Sequence, residues 1–377
     1  MSQPTILDGI QSPQDIKHLS ATELEQLAGE IRSRIVQVVS QNGGHLASNL
    51  GAVELTLALH KVLNTPQDKL VFDVGHQAYT HKLLTGRAAA FCTLRQYGGI
   101  SGFPLPSESP HDAFGAGHSS TAISAALGMV RARELLQEDY RVVAVVGDGA
   151  LTGGMIWEAL NDAGNRRDRL VVVLNDNEMS ISNNVGAIAS YLGRLRASRR
   201  YTRAKARLKK FLTKVPLVGA GLSNSIERLK NSLKYLLLRG MYFEEMGWTY
   251  LGPIDGHDID RMVENLHTAL AQEDGPVLLH VVTQKGRGYR PAEEQPQVYH
   301  GPGQFDPESG CIYPGSGGMK KLAQVSGEAL LALAGADAKL CAVTAAMPSG
   351  CGLEPFAGRY PNRYFDVGIA EQHAVTM

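Results

Sequence analysis

Cysteine is scarce in this sequence, and neither sign of charge is in excess. The four cysteines, Cys92, Cys311, Cys341 and Cys351, are scattered, with no pairing at metal-site or redox spacing. A large, cysteine-poor chain fits a reducing compartment, so the expected location is the cytoplasm. Basic and acidic residues both number 37, for a net charge of zero. That balance excludes a global bias toward nucleic acid or an anionic membrane. No apolar run is long enough to span a bilayer. Met1 to Ser20 lacks the basic-then-apolar order of a secretory leader, so none is expected. No Gly-Lys dipeptide occurs, which removes the phosphate loop of nucleotide hydrolases. What is present is 44% hydrophobic content over 377 residues, enough for one large domain with a substantial core and part of another.

The rest of the chain is organised around Gly147 to Asn177. The apolar run Val142 to Val146 ends in Gly147-Asp148-Gly149, and the run Leu170 to Leu174 ends in Asn175-Asp176-Asn177. A short helix near Met155 to Ala163 separates them. Continuous apolar runs suit strands covered on both faces. Two parallel strands joined by a helix bring both turns to the sheet edge where ligands bind. The dinucleotide fingerprint fails here, because the sixth position from Gly147 is Thr152. One carboxylate, Asp148, and one amide oxygen, Asn177, suit Mg²⁺ when phosphate supplies further ligands. The glycines allow close backbone approach, and the helix start after Gly153-Gly154 aims amide donors at an anion. Either turn alone reads as an ordinary strand end. Together they read as a Mg²⁺-diphosphate clamp.

Upstream, Ser20 and Glu23 form a capping box before a helix whose buried face is Leu24, Leu27, Ala28, Ile31, Ile35, Val38 and Val39. His45 follows Gly43-Gly44 at the start of the next helix, which is expected through Leu59. The short strand Val71 to Val74 ends in Gly75-His76-Gln77, and Gly117-His118-Ser119-Ser120 opens another helix. Each histidine alone is compatible with capping or packing. Three glycine-histidine pairs at successive element junctions point to a shared cleft.

Downstream, the backbone carbonyl of Met179 is a candidate further metal ligand. The stretch from Asn183 to Arg239 carries a dense basic run, Arg194 to Lys210, expected as a mobile, solvated helical insertion rather than a nucleic-acid patch. Leu251 to Asp258 reads as a turn that caps the helix through Ala271, and Pro276 to Thr283 as a strand. Lys285-Gly-Arg-Gly288-Tyr289 is a basic loop at the ligand edge, where Tyr289 either covers a heterocycle or anchors the loop. Residues 291–318, with His300 inside, read as a linker. From Met319 come a helix, two strand candidates (Lys339 to Thr344 and Phe365 to Ala370) and Glu371-Gln372-His373. That is too little to bury a sheet on both faces, so the second unit is expected to be incomplete.

Seven blocks carry a specific resemblance: Phe72 to Tyr79, Gly117 to Ser120, Gly147 to Gly149, Thr152 to Met155, Leu174 to Ser182, Lys285 to Glu293 and Gly368 to Val375. On these, the chain resembles the 1-deoxy-D-xylulose-5-phosphate synthase family of transketolase-like thiamine diphosphate enzymes. The wording Asn-Asp-Asn-Glu-Met-Ser-Ile-Ser separates it from ordinary transketolase. The resemblance implies an α/β thiamine diphosphate-binding fold, a parallel sheet with helices on both faces, plus the start of a second similar domain. Residues 1–318 would form the diphosphate- and Mg²⁺-binding domain, with 183–239 as insertion, and 319–377 an incomplete pyrimidine-binding domain.

By the same resemblance Asp148, Asn177 and the Met179 carbonyl would hold Mg²⁺. His76, Gly117, His118, Ser119, Gly149, Ala150, Asn177, Tyr289 and Glu371 would contact thiamine diphosphate. Glu371, His45 and His300 would be catalytic. The implied reaction decarboxylates pyruvate and transfers the two-carbon unit to glyceraldehyde 3-phosphate, an entry to isoprenoid, thiamine and pyridoxal precursors. The implied full-length enzyme is a homodimer without nucleic-acid or membrane partners. The family chain continues beyond Met377, so this chain is expected to be a fragment, inactive alone. The alternatives are the N-terminal subunit of a split transketolase and a non-catalytic basic-loop binding protein.

Overall fold

A computed structural model of the chain describes residues 5–177, 187–196, 241–314 and 320–377. Five strands, β1 (Lys69–Phe72), β2 (Val142–Gly147), β3 (Val171–Asp176), β4 (Thr249–Asp255) and β5 (Val277–Val282), form one sheet in the order β1-β2-β3-β5-β4. Every pairing is parallel. The apolar runs do this because successive side chains point to opposite faces and both faces are covered. Val143, Val145, Val171, Val173 and Leu279 enter one buried cluster, together with the helices Ala21–Asn42, Val53–Val62 and Ile259–Leu270. Val142, Ala144, Val146, Val172 and Leu278 enter the other, with the helices Ala122–Leu136 and Gly154–Arg166. The expected α/β sheet with helices on both faces is what is seen.

The helix Ala21–Asn42 has the predicted Ser20–Glu23 capping box and buries the predicted face. The helix expected from His45 to Leu59 is instead two, Ala47–Gly51 and Val53–Val62, broken at Ala52. The larger correction is β4. The turn expected over Leu251 to Asp258 is mostly strand, with a register shift between Leu251 and Ile254. Pro253 is tolerated because β4 lies at the sheet edge, where a missing N–H breaks no interior ladder. The stretch expected as linker also departs from expectation: Ala292, Tyr299 and Phe305 are buried in the first cluster. Most of the basic insertion lies outside the described residues; the helix Ala187–Arg196 is the part that is described.

Two further strands, β6 (Ala342–Thr344) and β7 (Tyr364–Asp366), pair in parallel as a separate sheet. Their cluster is small: Ala334, Ala342, Leu353 and Phe356. No helix among the described residues is long and apolar enough to cross a membrane.

Candidate active site

The segments leaving the carboxyl ends of β1, β2, β3 and β5 converge on a cleft of ≈ 450 Å³. Among the described residues, all but one of the predicted site residues line it: His45, His76, His300, Gly117, His118, Ser119, Asp148, Gly149, Ala150, Asn177 and Glu371. Asp148 directly follows β2, and Gly147 is in register with Asn175 of the neighbouring β3. Strand alternation then separates the three residues of the Asn-Asp-Asn turn. Asn175 donates to Gln77 Oε1 at 3.1 Å and accepts from Thr283 Oγ1 at 2.6 Å. Asn177 lines the cleft. Asp176 faces the other way, where its Oδ2 lies 2.9 Å from His280 Nε2, whose Nδ1 lies 2.7 Å from Tyr250 Oη. Asp176 is therefore a buried structural partner rather than a second carboxylate for the site.

The histidines form a group. Ring centroids are 5.4 Å apart for His45 and His76, 5.6 Å for His45 and His300, and 5.6 Å for His76 and His300. Asn49 fixes two of them from behind, donating its amide to the carbonyls of both His45 and His76 at 2.7 Å. Phe103 stands edge-on to His45 at 5.7 Å. Burial, with the neighbouring Arg95 and Lys285 charges, lowers the His45 pKa to about 4. Burial, Lys285 and His45 lower that of His300 to about 3. Burial also holds His76 well below the ordinary value. All three are neutral near pH 7, the state in which an imidazole can both give and take a proton.

Across the cleft, His118 Nε2 lies 3.0 Å from Glu371 Oε1. His118 Nδ1 lies 2.9 Å from the Ser119 carbonyl, which can only accept, so Nδ1 carries a proton. A neutral imidazole would then present a lone pair to the Glu371 carboxylate. A second proton must therefore sit on the pair. The bond to Ser119, and then Glu371, raise the His118 pKa. Thr152 supports this contact by accepting from the Ile369 N–H at 3.0 Å. Gly153 permits it: a Cβ there would fall 2.2 Å from Ser120 Oγ and 3.3 Å from the Ile369 carbonyl.

Two strained backbone positions lie at the same place. Val74 and Ser120 are non-glycine residues with φ of 61° and 70°. A left-handed β-branched residue persists only where its surroundings hold it. The Asp73 carboxylate between them does so, accepting the N–H groups of Ser120, Thr121 and Ala122 at 2.9, 3.0 and 3.1 Å.

One predicted residue does not join the cleft. Tyr289 is not among its lining residues; the ring packs against Tyr299 at 5.9 Å and Phe305 at 6.0 Å, anchoring its loop. Met179 lies outside the described residues. Lys285, by contrast, lines the cleft and is 5% exposed, although it is not among the expected site residues. Burial lowers its pKa to about 8, opposed by the Asp148 carboxylate. Its place in a basic loop just past the end of β5 was the available signal.

Residues 7–283 match the family model described as 1-deoxy-D-xylulose-5-phosphate synthase, and residues 319–377 match the transketolase pyrimidine-binding domain. Over 372 residues the chain is 56% identical to the 1-deoxy-D-xylulose-5-phosphate synthase of Desulforudis audaxviator, covering 99% of this chain and 58% of that protein. The Carboxydothermus hydrogenoformans enzyme of the same name is also 56% identical over 372 residues, with 59% of it covered. The chain thus spans rather more than half the length of these relatives. Transketolases from Leishmania mexicana and Campylobacter jejuni share the fold, with TM-scores of 0.55 and 0.56 over 93% of this chain, 61% and 62% of those chains, and identities of 16% and 17%. The chain belongs to the 1-deoxy-D-xylulose-5-phosphate synthase family.

Proposed function

We propose that this chain supplies the thiamine diphosphate and Mg²⁺ site of a 1-deoxy-D-xylulose-5-phosphate synthase, acting on pyruvate and glyceraldehyde 3-phosphate in a homodimeric enzyme. Residues 1–318 serve as the diphosphate-binding domain and 319–377 as the beginning of the pyrimidine-binding domain. The observation that carries this reading is the meeting, in one cleft, of Asp148 and Asn177 from adjacent strands with the His118–Glu371 pair opposite.

The residues fit the coenzyme. His45 Nδ1, His76 Nδ1 and Ser119 Oγ are buried at the cleft wall with no hydrogen-bond partner among the described residues. Such atoms are costly unless something pairs with them. A Cβ at Gly117 or Gly147 would meet nothing within 4 Å among the described residues, so neither glycine is crowded by them along the cleft. No cluster of three or more His, Cys, Asp or Glu suited to a metal occurs among the described residues. A Mg²⁺ site that borrows phosphate oxygens needs no such cluster.

Bound thiamine diphosphate supplies a carbon nucleophile and an electron sink for decarboxylation. The chain's own residues do the rest. Asp148, Asn177 and the Met179 carbonyl would hold the metal, while His76, Ser119 and Lys285 would bind the diphosphate. Glu371 would hydrogen-bond the aminopyrimidine ring. Neutral His45 and His300 exchange protons with substrate oxygens. The decisive test is Asp148→Asn with calorimetric titration of Mg²⁺ and thiamine diphosphate. Losing the charged metal ligand should weaken Mg²⁺-dependent binding by about tenfold or more. Unchanged affinity would overturn the clamp.

A further inference from the structure

The Gly256-His257-Asp258 turn after β4 has no part in the cleft, yet its histidine is tied to a cleft loop. Asp258 caps the next helix, accepting from the Arg261 N–H at 3.0 Å, and Asp255 accepts from the His257 N–H at 2.9 Å. That leaves the His257 ring pointing inward, its side chain 9% exposed. His257 Nε2 accepts from the Gln284 N–H at 2.8 Å, and Nδ1 lies 3.0 Å from Glu54 Oε2. A backbone N–H can only donate. The ring is therefore the Nδ1–H tautomer, donating to Glu54. Glu54 is in turn held by Arg32 Nη2 at 2.6 Å, and Arg32 Nε donates to the Arg287 carbonyl at 3.0 Å.

Gln284 is the residue before Lys285. The same loop is pinned by the Gly286 N–H donating to the Ala47 carbonyl at 2.8 Å. It also lies close against Gly51, where a Cβ would come within 2.7 Å of the Gln284 carbonyl and 3.3 Å of Lys285 Cα. Resting on the proposed function, we infer that His257, oriented by Glu54, is a positioning residue that fixes the Gln284–Gly288 loop and so aims Lys285 at the diphosphate oxygens. His257 touches neither coenzyme nor substrate. It acts through one backbone hydrogen bond, as the groups behind a ligand commonly do.

Two variants separate this from plain packing. H257F keeps a ring but removes both the acceptor and the donor. H257Q keeps a carbonyl to accept from Gln284 and an NH₂ to donate to Glu54. Hydrogen exchange reads the loop, and calorimetry with Mg²⁺ and thiamine diphosphate reads the site. H257F should speed exchange of the Gln284–Gly288 amides and weaken coenzyme binding, each about tenfold, while β5 amides keep their native rate. H257Q should stay within about threefold of native on both. E54Q should move both readouts the same way by less, and decides the matter where H257F does not fold. Native exchange rates in the loop of H257F, or an H257Q as impaired as H257F, overturn the positioning role. A native chain that binds no coenzyme overturns the proposed function instead, and the exchange comparison still decides the tie between His257 and the loop.

Discussion

The two sheets are built to different standards, and the cleft draws on both. In β3 every residue is buried, and in β2 all but the last. Buried clusters cover both faces of that sheet. In β6 and β7 the outward positions are open: Val343 is 41% exposed and Phe365 44%. Leu322 and Leu333 on the adjoining helix are 81% and 59% exposed. A two-stranded sheet with one small cluster is marginal by itself. The smaller region nevertheless carries Glu371. The Asp148 side of the cleft therefore stands on a packed scaffold, whereas the Glu371 side is held by a few local contacts through Thr152 and His118. Perturbations should act on the two sides unequally.

The largest expected contrast is in native-state hydrogen exchange. Amides of β2, β3 and β5 should open only with global unfolding, and those of β6 and β7 by local opening, about a thousandfold or more faster. Equal protection in both sheets would erase the distinction. Next comes a pair of truncations read by urea unfolding. Leu279→Ala, in a central strand and fully buried, should cost about 2–5 kcal/mol. Phe365→Ala removes a side chain that is already 44% exposed, and should cost less than Leu279→Ala, about 1 kcal/mol.

Acid should find the packed region before the open one. His45 and His300 fold with pKa values of about 4 and about 3. Unfolded, each titrates near its ordinary value, about 6.5. Their neutral burial is free of charge cost above about pH 6.5, and stability falls as pH drops from there toward the folded values. At about 1.4 kcal/mol per pH unit, His45 alone accounts for about 3 kcal/mol lost by pH 4. The three rings are coupled, so the losses do not add. Urea midpoints measured from pH 7 to pH 4.5 should fall, and His45→Gln should flatten the slope. A slope unaltered by that substitution would mean the ring is not held neutral.

The same contrast explains what the sequence made legible. The parallel interior was readable because a strand covered on both faces needs an unbroken apolar run, as in Val142 to Val146. The long helix was readable because its buried face repeats with helical period from Leu24 to Val39. Local chemistry also put His45, His76 and His118 at element ends, where glycine precedes each. Edge and loop features resisted. β4 hides behind Gly252-Pro253, a turn signal that an edge strand can absorb. Tyr299 and Phe305 sit among prolines and glycines, and only distant partners show that they are core. The same two rings draw Tyr289 out of the cleft. Lys285 has no periodicity to mark it; its burial comes from the Gly51 approach and the Gly286–Ala47 bond, both non-local.

The smallest expected effect bears on the joint between the two regions. The bond to the Ser119 carbonyl and the Glu371 charge together raise the His118 pKa. A raised histidine stabilises the fold fully below its unfolded value, and that stabilisation is lost as pH rises through the folded one. Here the side chains are 64% and 44% exposed, so solvent screens the pair and the unfolding curve should scarcely move. The titration itself is the sensitive readout. Followed by NMR at the imidazole, Glu371→Gln should lower the His118 pKa toward its ordinary value without reaching it, because the Ser119 bond remains. Salt should lower the native value in the same direction. A His118 titration indifferent to both would mean that Glu371 does not reach across the cleft in solution, and the open region would then contribute no carboxylate to the cleft that the packed one builds.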